Sequence, residues 1–337
     1  MLMTHPQIGE MNQRREVPAV LCPSCSAYVE LTSARGQCSC GFKFRWQGNI
    51  LDLATQPDKF YEGRYANEIH FDKTRLEQVG GRILLHFLVN GYYEAIVGFV
   101  PAGGRILDIG CAGGAKLLAD WGEVTGLDLS LSTLEIAAQK YAWDIRANAC
   151  CVEFAPQTFD AVVSCFFWEH VTFPDKDLLL EKFHRWLRPG GKAILLFDVA
   201  SENPLFRWAR KDRDLFAEAF IENDGHYGLE SANAALGRFA QHGFHVRWWH
   251  AMNRSPVQHL PALGWLGKYG RKYGWAKMVS RAGTWVANHK IPNRFYTGSV
   301  QLFDDTFGRI LPVAWSRLLL VVLERPAEAP PRDSAVA

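Results

Sequence analysis

The run Arg105-Ile-Leu-Asp-Ile-Gly-Cys-Ala-Gly-Gly114 constrains the fold more than any other part of this chain. An apolar stretch ends in an acid, and the acid opens a glycine-rich turn that leads into a helix. Gly110, Gly113 and Gly114 let the backbone turn sharply and let a ligand approach with no Cβ in the way. Further on, Val124-Thr-Gly-Leu-Asp128 repeats the pattern of an apolar strand closed by a carboxylate. In nucleotide-binding βαβ units an acid about twenty residues past the glycine turn holds the ribose hydroxyls.

The next pieces fall in a fixed order. Asn148-Ala149 is followed by Phe154, and Thr158-Phe-Asp160 runs into a fourth strand, Ala161 to Cys165. Glu169-His170-Val171 comes just after that strand, and Trp186-Leu-Arg-Pro-Gly-Gly191 turns into a fifth, Ala193 to Val199. Over about residues 100–200 these motifs resemble class I S-adenosylmethionine-dependent methyltransferases of the type 11 kind. The resemblance implies an α/β fold, a Rossmann-like seven-stranded sheet with helices on both faces. It implies S-adenosyl-L-methionine as cofactor, with Asp108, Gly110, Gly113 and Gly114 on its methionine part and Asp128 on its ribose. Asn148 and Ala149 would flank the adenine, and Phe154 would pack on the adenine ring. Two positions depart from the family: Ala112 replaces the middle glycine and Asn148 the usual aspartate, although an amide still faces an adenine edge well. The competing reading is another Rossmann cofactor such as NAD, which wants Gly-x-Gly-x-x-Gly at a helix N-terminus for pyrophosphate. An acid at the strand end suits a zwitterionic sulfonium better than a dianion.

At 337 residues the chain is long enough for a full α/β domain with material to spare, and a net charge of +2 predicts no partner. Met1 to Val17 is polar and mixed, without a secretory apolar core. The longest apolar stretch, Ile83 to Val100, is broken by His86, Asn90 and Glu94. Its apolar residues Leu84, Phe87, Leu88, Tyr92, Ala95, Ile96 and Phe99 recur at helical spacing, which predicts an amphipathic helix on the sheet and no membrane span. A cytoplasmic protein is expected, with peripheral contact to a membrane left open.

The cysteines fall into two groups. Cys111, Cys150, Cys151 and Cys165 lie within the core domain, whereas Cys22-Pro-Ser-Cys25 and Cys38-Ser-Cys40 sit near the N-terminus. Paired cysteines in a reducing compartment suggest a tetrahedral Zn²⁺ rather than disulfides. Tyr28 to Leu31 and Phe42 to Trp46 alternate as short strands around them. So small a piece builds too little core, so metal binding would supply much of its folding free energy. It resembles the zinc ribbons of the tRNA-methyltransferase-activator type, except that the second pair is Cys-x-Cys. Four thiolates leave no open position, so such a zinc is structural. The alternative is a relic ribbon with free thiols.

The chain therefore reads as a disordered lead-in (1–17), a zinc ribbon (18–54), a helical connector (55–100), the methyltransferase domain (101–325) and a disordered tail (326–337). Within the domain, Leu229 to His242 is the last helix and Phe244 to Trp249 the sixth strand. Trp315 to Glu324 looks like the antiparallel seventh strand that members of the resembled family insert between five and six, which would make about 254–310 a helical insertion. From Ser231 to Phe303 there is no Asp or Glu, but Arg238, Arg247, Arg254, Lys268, Arg271, Lys272, Lys277, Arg281, Lys290 and Arg294 occur there, with five tryptophans. Such asymmetry points to a surface that meets an anion: RNA, an anionic lipid surface or a phosphate-bearing substrate. The alternative is a helical cap with core tryptophans and solvated charges.

Methyl transfer to a hydroxyl gains from a base. His170, past the fourth strand, and His226, in Asp224-Gly-His-Tyr-Gly228, are the candidates. Either also has a bracing reading, and Asp198 either contacts substrate or ends its strand. No Asn-Pro-Pro-Tyr or Asp-Pro-Pro-Tyr follows strand four, no proline precedes Cys165, and no acidic cluster suggests a magnesium-dependent catechol-type site. The leading expectation is O-methylation of a small-molecule or carrier-linked acceptor, such as a glycan, quinone or lipid-linked compound. An RNA base methyltransferase comes second, and a non-catalytic scaffold with a partner-binding ribbon third.

Overall fold

Apolar runs closed by acids become the centre of a mostly parallel sheet. A computed structural model describes residues 19–29, 36–54, 61–62, 90–255 and 260–327. The lead-in, most of the connector and the end of the tail lie outside them, as do Leu84, Phe87 and Leu88 of the expected amphipathic helix. The strands are β1 (Val20–Leu21), β2 (Arg45–Gln47), β3 (Ile50–Asp52), β4 (Arg105–Ile109), β5 (Glu123–Asp128) and β6 (Trp143–Arg146). They continue as β7 (Glu153–Phe154), β8 (Phe159–Cys165), β9 (Leu187–Asp198), β10 (His245–Met252) and β11 (Leu318–Glu324). The longer helices are α1 (Asn90–Phe99), α2 (Lys116–Trp121), α3 (Leu131–Ala137), α4 (Phe173–Trp186), α5 (Ala232–Gln241), α6 (Gly274–Ala287) and α7 (Lys290–Asp305).

The large sheet runs β10-β11-β9-β8-β4-β5-β6-β3-β2. Its central pairs are parallel, and their strands are buried on both faces, so they read as near-continuous apolar runs. One face packs Leu107, Leu127, Val162 and Leu195 against Phe183 and Trp186 of α4 and Phe239 of α5. The other packs Ile106, Val124, Val163 and Ile194 against Tyr92 and Ile96 of α1 and Leu118 of α2. The helices start where the sequence supplies caps. Ser130 Oγ accepts from the Thr133 amide and Ser231 Oγ from the Ala234 amide.

The seven expected strands are all present, with β11 antiparallel between β9 and β10. The sixth strand reaches Met252, and the seventh starts only at Leu318, because Val313–Trp315 forms a 3₁₀ turn behind Pro312. Two strands are additional. β3 joins β6 in parallel, with Ile50 opposite Asp144, and β2 returns antiparallel beside it. β1 also pairs with β7 of the domain. Val20, Val29, Phe44 and Leu51 thereby enter the same core as Phe159 and Trp186. Each such side chain contributes about 1.5–3 kcal/mol on full burial, so the N-terminal piece draws stability from the domain.

A third core sits above the sheet. Phe206 and Phe220, from the stretch after β9, pack with Trp265, Leu266, Tyr269 and Ala276. The cap is thus built from two segments, and the insertion expected at 254–310 supplies only one of them.

Candidate functional site

The chain leaves β4 toward β5 on one side and returns to β8 on the other, which makes the C-terminal ends of β4 and β8 the switch point of the sheet. A cavity of ≈ 390 Å³ opens there. The turn after β4 forms its floor. Gly110 (φ +67°) and Gly114 (φ +68°) adopt left-handed backbone, and a Cβ on Gly110 would lie 2.9 Å from the Phe167 ring. Gly113 sits against Ile136 with ordinary φ. Ala112 takes φ +45° despite its methyl, so the departure from the family's glycine costs backbone strain. Phe166, beside the cavity, is also left-handed at φ +57°. Two such residues around one cavity mark a segment held by its surroundings.

Asp108 ends β4 and is nearly buried, accepting a 2.7 Å hydrogen bond from the Tyr141 hydroxyl. Tyr141 in turn accepts from the Ala115 amide, at 2.7 Å. Burial pushes the Asp108 carboxyl up to about 7. Asp128 ends β5; its Oδ2 accepts from the Ala112 amide and its Oδ1 from the Ser130 amide, both at 2.9 Å. Burial raises this carboxyl too. Glu169, Asp198 and Asp224 complete an acidic lining, and no Lys or Arg is among the described lining residues. Such a wall complements a cationic ligand.

An adjoining cavity of ≈ 200 Å³ shares Gly110, Asp128, Phe167 and His170 with the first and is lined by Asn148 and Ala149. Asn148 Oδ1 accepts from the Cys150 amide at 2.8 Å. Phe154 lines neither cavity. It is 1% exposed and packs edge-on to Phe159 and Trp186, because β1 covers it through the β1–β7 pairing. This corrects the expectation that Phe154 packs on an adenine; Phe167 and Tyr61 are aromatics that line both cavities. Tyr141, Tyr92 and Tyr93 also line or support the site and were not singled out as site residues. Only the phenylalanine pair at the end of β8 carried a local signal, since Gly110 leaves room for it.

Glu169, His170 and His226 line the larger cavity too, and His170 also borders the smaller one. His170 follows β8 on a single 3₁₀ turn, and its Nδ1 is 3.1 Å from the Gly225 carbonyl oxygen. That oxygen only accepts, so Nδ1 carries the proton and Nε2 the lone pair. The two imidazole rings are 5.1 Å apart. Burial and the neighbouring His226 bring His170 down to about 4. The ring is therefore neutral at pH 7 and a weaker base than its residue type suggested. Asp198 Oδ1 accepts from Arg317 Nε at 3.2 Å while facing the same cavity.

The four N-terminal cysteines converge. Cys22 and Cys40 have Sγ atoms 3.6 Å apart, as do Cys25 and Cys38, and all four sulfurs lie within 4.8 Å of one another. Four sulfurs at about 2.3 Å from a tetrahedral zinc stand about 3.8 Å apart, so the set fits that ion. The Ser24 amide donates to Cys22 Sγ at 3.4 Å, and the Cys40 amide holds the Cys38 thiol down to about 6.

The acid-free segment is less bare than its sequence implies. Arg238 pairs with Asp177 and Glu230, Arg247 with Glu324, Lys268 and Arg271 with Glu218, and Lys272 with Asp212. Its cations are thus partly neutralised from outside. Trp265 is core, but α6 exposes Trp275, Met278 and Trp285 beside Lys277 and Arg281. α7 exposes Ile291, Phe295 and Leu302, and Phe307 and Ile310 follow. Among the described residues no helix is long and apolar enough to cross a membrane.

A switch-point cleft with a glycine turn and acids ending β4 and β5, in a sheet whose antiparallel strand lies between the last two, defines the class I methyltransferase architecture. Residues 107–195 match the family described as a methyltransferase domain, and this part of the chain is an S-adenosylmethionine-dependent methyltransferase domain of that class. Phosphoethanolamine N-methyltransferase 1 of Triticum aestivum is 29% identical over 160 residues, covering 41% of this chain and 30% of that protein. Demethylmenaquinone methyltransferase of Lactiplantibacillus plantarum is 33% identical over 117 residues, covering 31% of this chain and 48% of that protein. The chain thus spans less than half the length of either relative. Among solved structures, Haemonchus contortus phosphoethanolamine N-methyltransferase 2 with S-adenosyl-L-methionine aligns at TM-score 0.44 and 20% identity, over 70% of this chain and 52% of that one.

Proposed function

We propose that this chain transfers the methyl group of S-adenosyl-L-methionine to an oxygen of a small or carrier-linked acceptor. The observation that carries this reading is the acidic cleft at the switch point, free of Lys and Arg among its described residues. The cofactor brings an ammonium and a sulfonium, and Asp108 stands buried where the ammonium would neutralise it. Gly110, Gly113 and Gly114 give the methionine part access to backbone, Asp128 takes the ribose hydroxyls, and Asn148 and Ala149 border the adenine. Phe167 offers the aromatic face.

The methyl is already activated, so the protein's work is alignment and exclusion of water. The acceptor oxygen attacks the methyl carbon, a C–O bond forms, and the C–S bond breaks with its electron pair passing to sulfur. Tyr92, Tyr93 and Phe166 also line the cleft and suit an uncharged ring or chain as acceptor. The two relatives are named for a quinone precursor and a phosphate ester; a cleft with no Lys or Arg among its described lining residues favours an acceptor of the first type. His170 presents its Nε2 lone pair to the hydroxyl proton, with His226 beside it. The four N-terminal cysteines hold a structural Zn²⁺.

The exposed apolar face of α6 and α7, flanked by Lys277 and Arg281, suits an anionic lipid surface that carries the acceptor. Co-sedimentation with anionic vesicles is expected, and a Met278→Glu, Trp285→Glu double substitution is expected to abolish it. Binding that survives the pair removes the membrane from this account. For the reaction itself, labelled methyl from the cofactor is added to an extract of source cells lacking the gene. Label is expected in the organic fraction; label in RNA would overturn the small-acceptor reading.

A further inference from the structure

We infer that Glu169, His170 and His226 form a metal site in the cleft, for a divalent ion of the manganese-to-zinc series. Two imidazole nitrogens and a carboxylate oxygen, all within 4.8 Å of one another, are a donor set that such ions take with coordination positions left open. The inference rests on the methyltransferase reading only for what the ion would do there.

Two observations point to an ion, and a third shows that the loop carrying His226 is held in place. Glu169 is 1% exposed, and its Oε2 has no hydrogen-bond partner among the described residues. A buried carboxylate oxygen left bare is costly, and native structures rarely keep one without a purpose. His170 gives its Nδ1 proton to the Gly225 carbonyl, the bond that metal-bound histidines make with their other nitrogen, and this leaves Nε2 for an ion. The loop carrying His226 is also fixed at short range. The Gly228 amide donates to the Glu169 carbonyl at 2.9 Å and the His226 amide to the Phe220 carbonyl at 3.0 Å. A Cβ at Gly228 would lie 1.8 Å from the Val171 carbonyl oxygen, so only glycine lets this loop lie against the end of β8. Donor atoms around a bound ion stand about 3 Å apart, so small side-chain rotations close the set.

An ion here acts on the acceptor. A bound ion would lower the pKa of a hydroxyl held on one of its open positions, so that its proton would pass to water more readily. The oxygen lone pair then attacks the methyl carbon, and the departing sulfur leaves as a neutral thioether. With the ion bound, the Nε2 lone pair of His170 would be taken up as a ligand, and this role would replace that of base given to it under the proposed function.

The test uses the full chain with its cysteines loaded with zinc. Mn²⁺ is titrated in and free Mn²⁺ followed by electron paramagnetic resonance, with Co²⁺ absorption in parallel; thiolates disfavour Mn²⁺, so the cysteines do not mask the result. One ion per chain is expected. Glu169→Gln and His226→Ala should each weaken it about tenfold or more, with S-adenosylhomocysteine binding retained as proof of folding. Absence of binding by both ions, or binding unchanged in both variants, overturns the site. Loss of S-adenosylhomocysteine binding in the unaltered chain would instead strike the cofactor reading and leave the metal titration standing.

Discussion

Asp108 is a buried acid with no cation beside it among the described residues, and its behaviour with pH follows from that. Its carboxyl sits up at about 7, and an arriving ammonium favours the ionised form. Below that value binding must expel a proton, so affinity for S-adenosylmethionine should rise with pH up to about 7 and flatten beyond. Calorimetry in buffers of different ionisation heat should register the released proton, and Asp108→Asn should bind weakly with no pH dependence. A wild-type affinity flat from pH 5 to 8 would contradict the assignment. At Ala112 the left-handed φ costs about 1–2 kcal/mol, offset by the greater entropy that glycine loses on folding. Ala112→Gly should therefore stabilise the chain by about 0.5–1 kcal/mol in urea unfolding; a destabilised variant would mean that the methyl packs usefully. Residues whose role is a backbone angle, such as Gly110, were legible in the sequence. Phe154 and Phe167 were not distinguishable, because what buries one and bares the other is a strand arriving from residue 20.

Elements were legible where they were long. Runs such as Ala193 to Val199 or Leu318 to Leu323 carry enough apolar residues to declare a buried strand alone. β2 and β3 have three residues each, too few for periodicity, and exist because the edge of β6 offers them a ladder. β6 also carries a liability. Asp144 is 1% exposed, neither carboxylate oxygen has a hydrogen-bond partner among the described residues, and burial pushes it up to about 8. An ordinary aspartate titrates near about 4. Between about 4 and 8 the unfolded chain gives up this proton and the folded chain keeps it, so folding weakens as pH rises. Asp144→Asn should raise the melting temperature more at pH 8 than at pH 5. Equal gains at both would show that the carboxyl does not titrate late.

At the scale of the whole molecule, the acid-free stretch is less cationic than its sequence suggests because pairing is a property of the folded chain. Glu218, Asp212 and Glu324 are distant in sequence and adjacent in space. The cysteine cluster was legible as a sequence pattern, but the joining of its neighbouring strands to the sheet was not. Cys38→Ser should remove one zinc per chain by elemental analysis and lower the melting temperature, while S-adenosylhomocysteine binding stays unchanged. Loss of that binding would mean that the ribbon also shapes the cleft.

The junction of β3 with β6 has a consequence for solubility. An open sheet edge is a template on which another chain can build. Here the outermost strand on that side is β2, three residues long, with Arg45 and Gln47 turned to solvent. A short, charged rim of this kind is a poor template, whereas β6 uncovered would offer Trp143 to Arg146 unpaired. The N-terminal piece therefore guards the domain against self-association, and a copy stripped of it should clump before it unfolds.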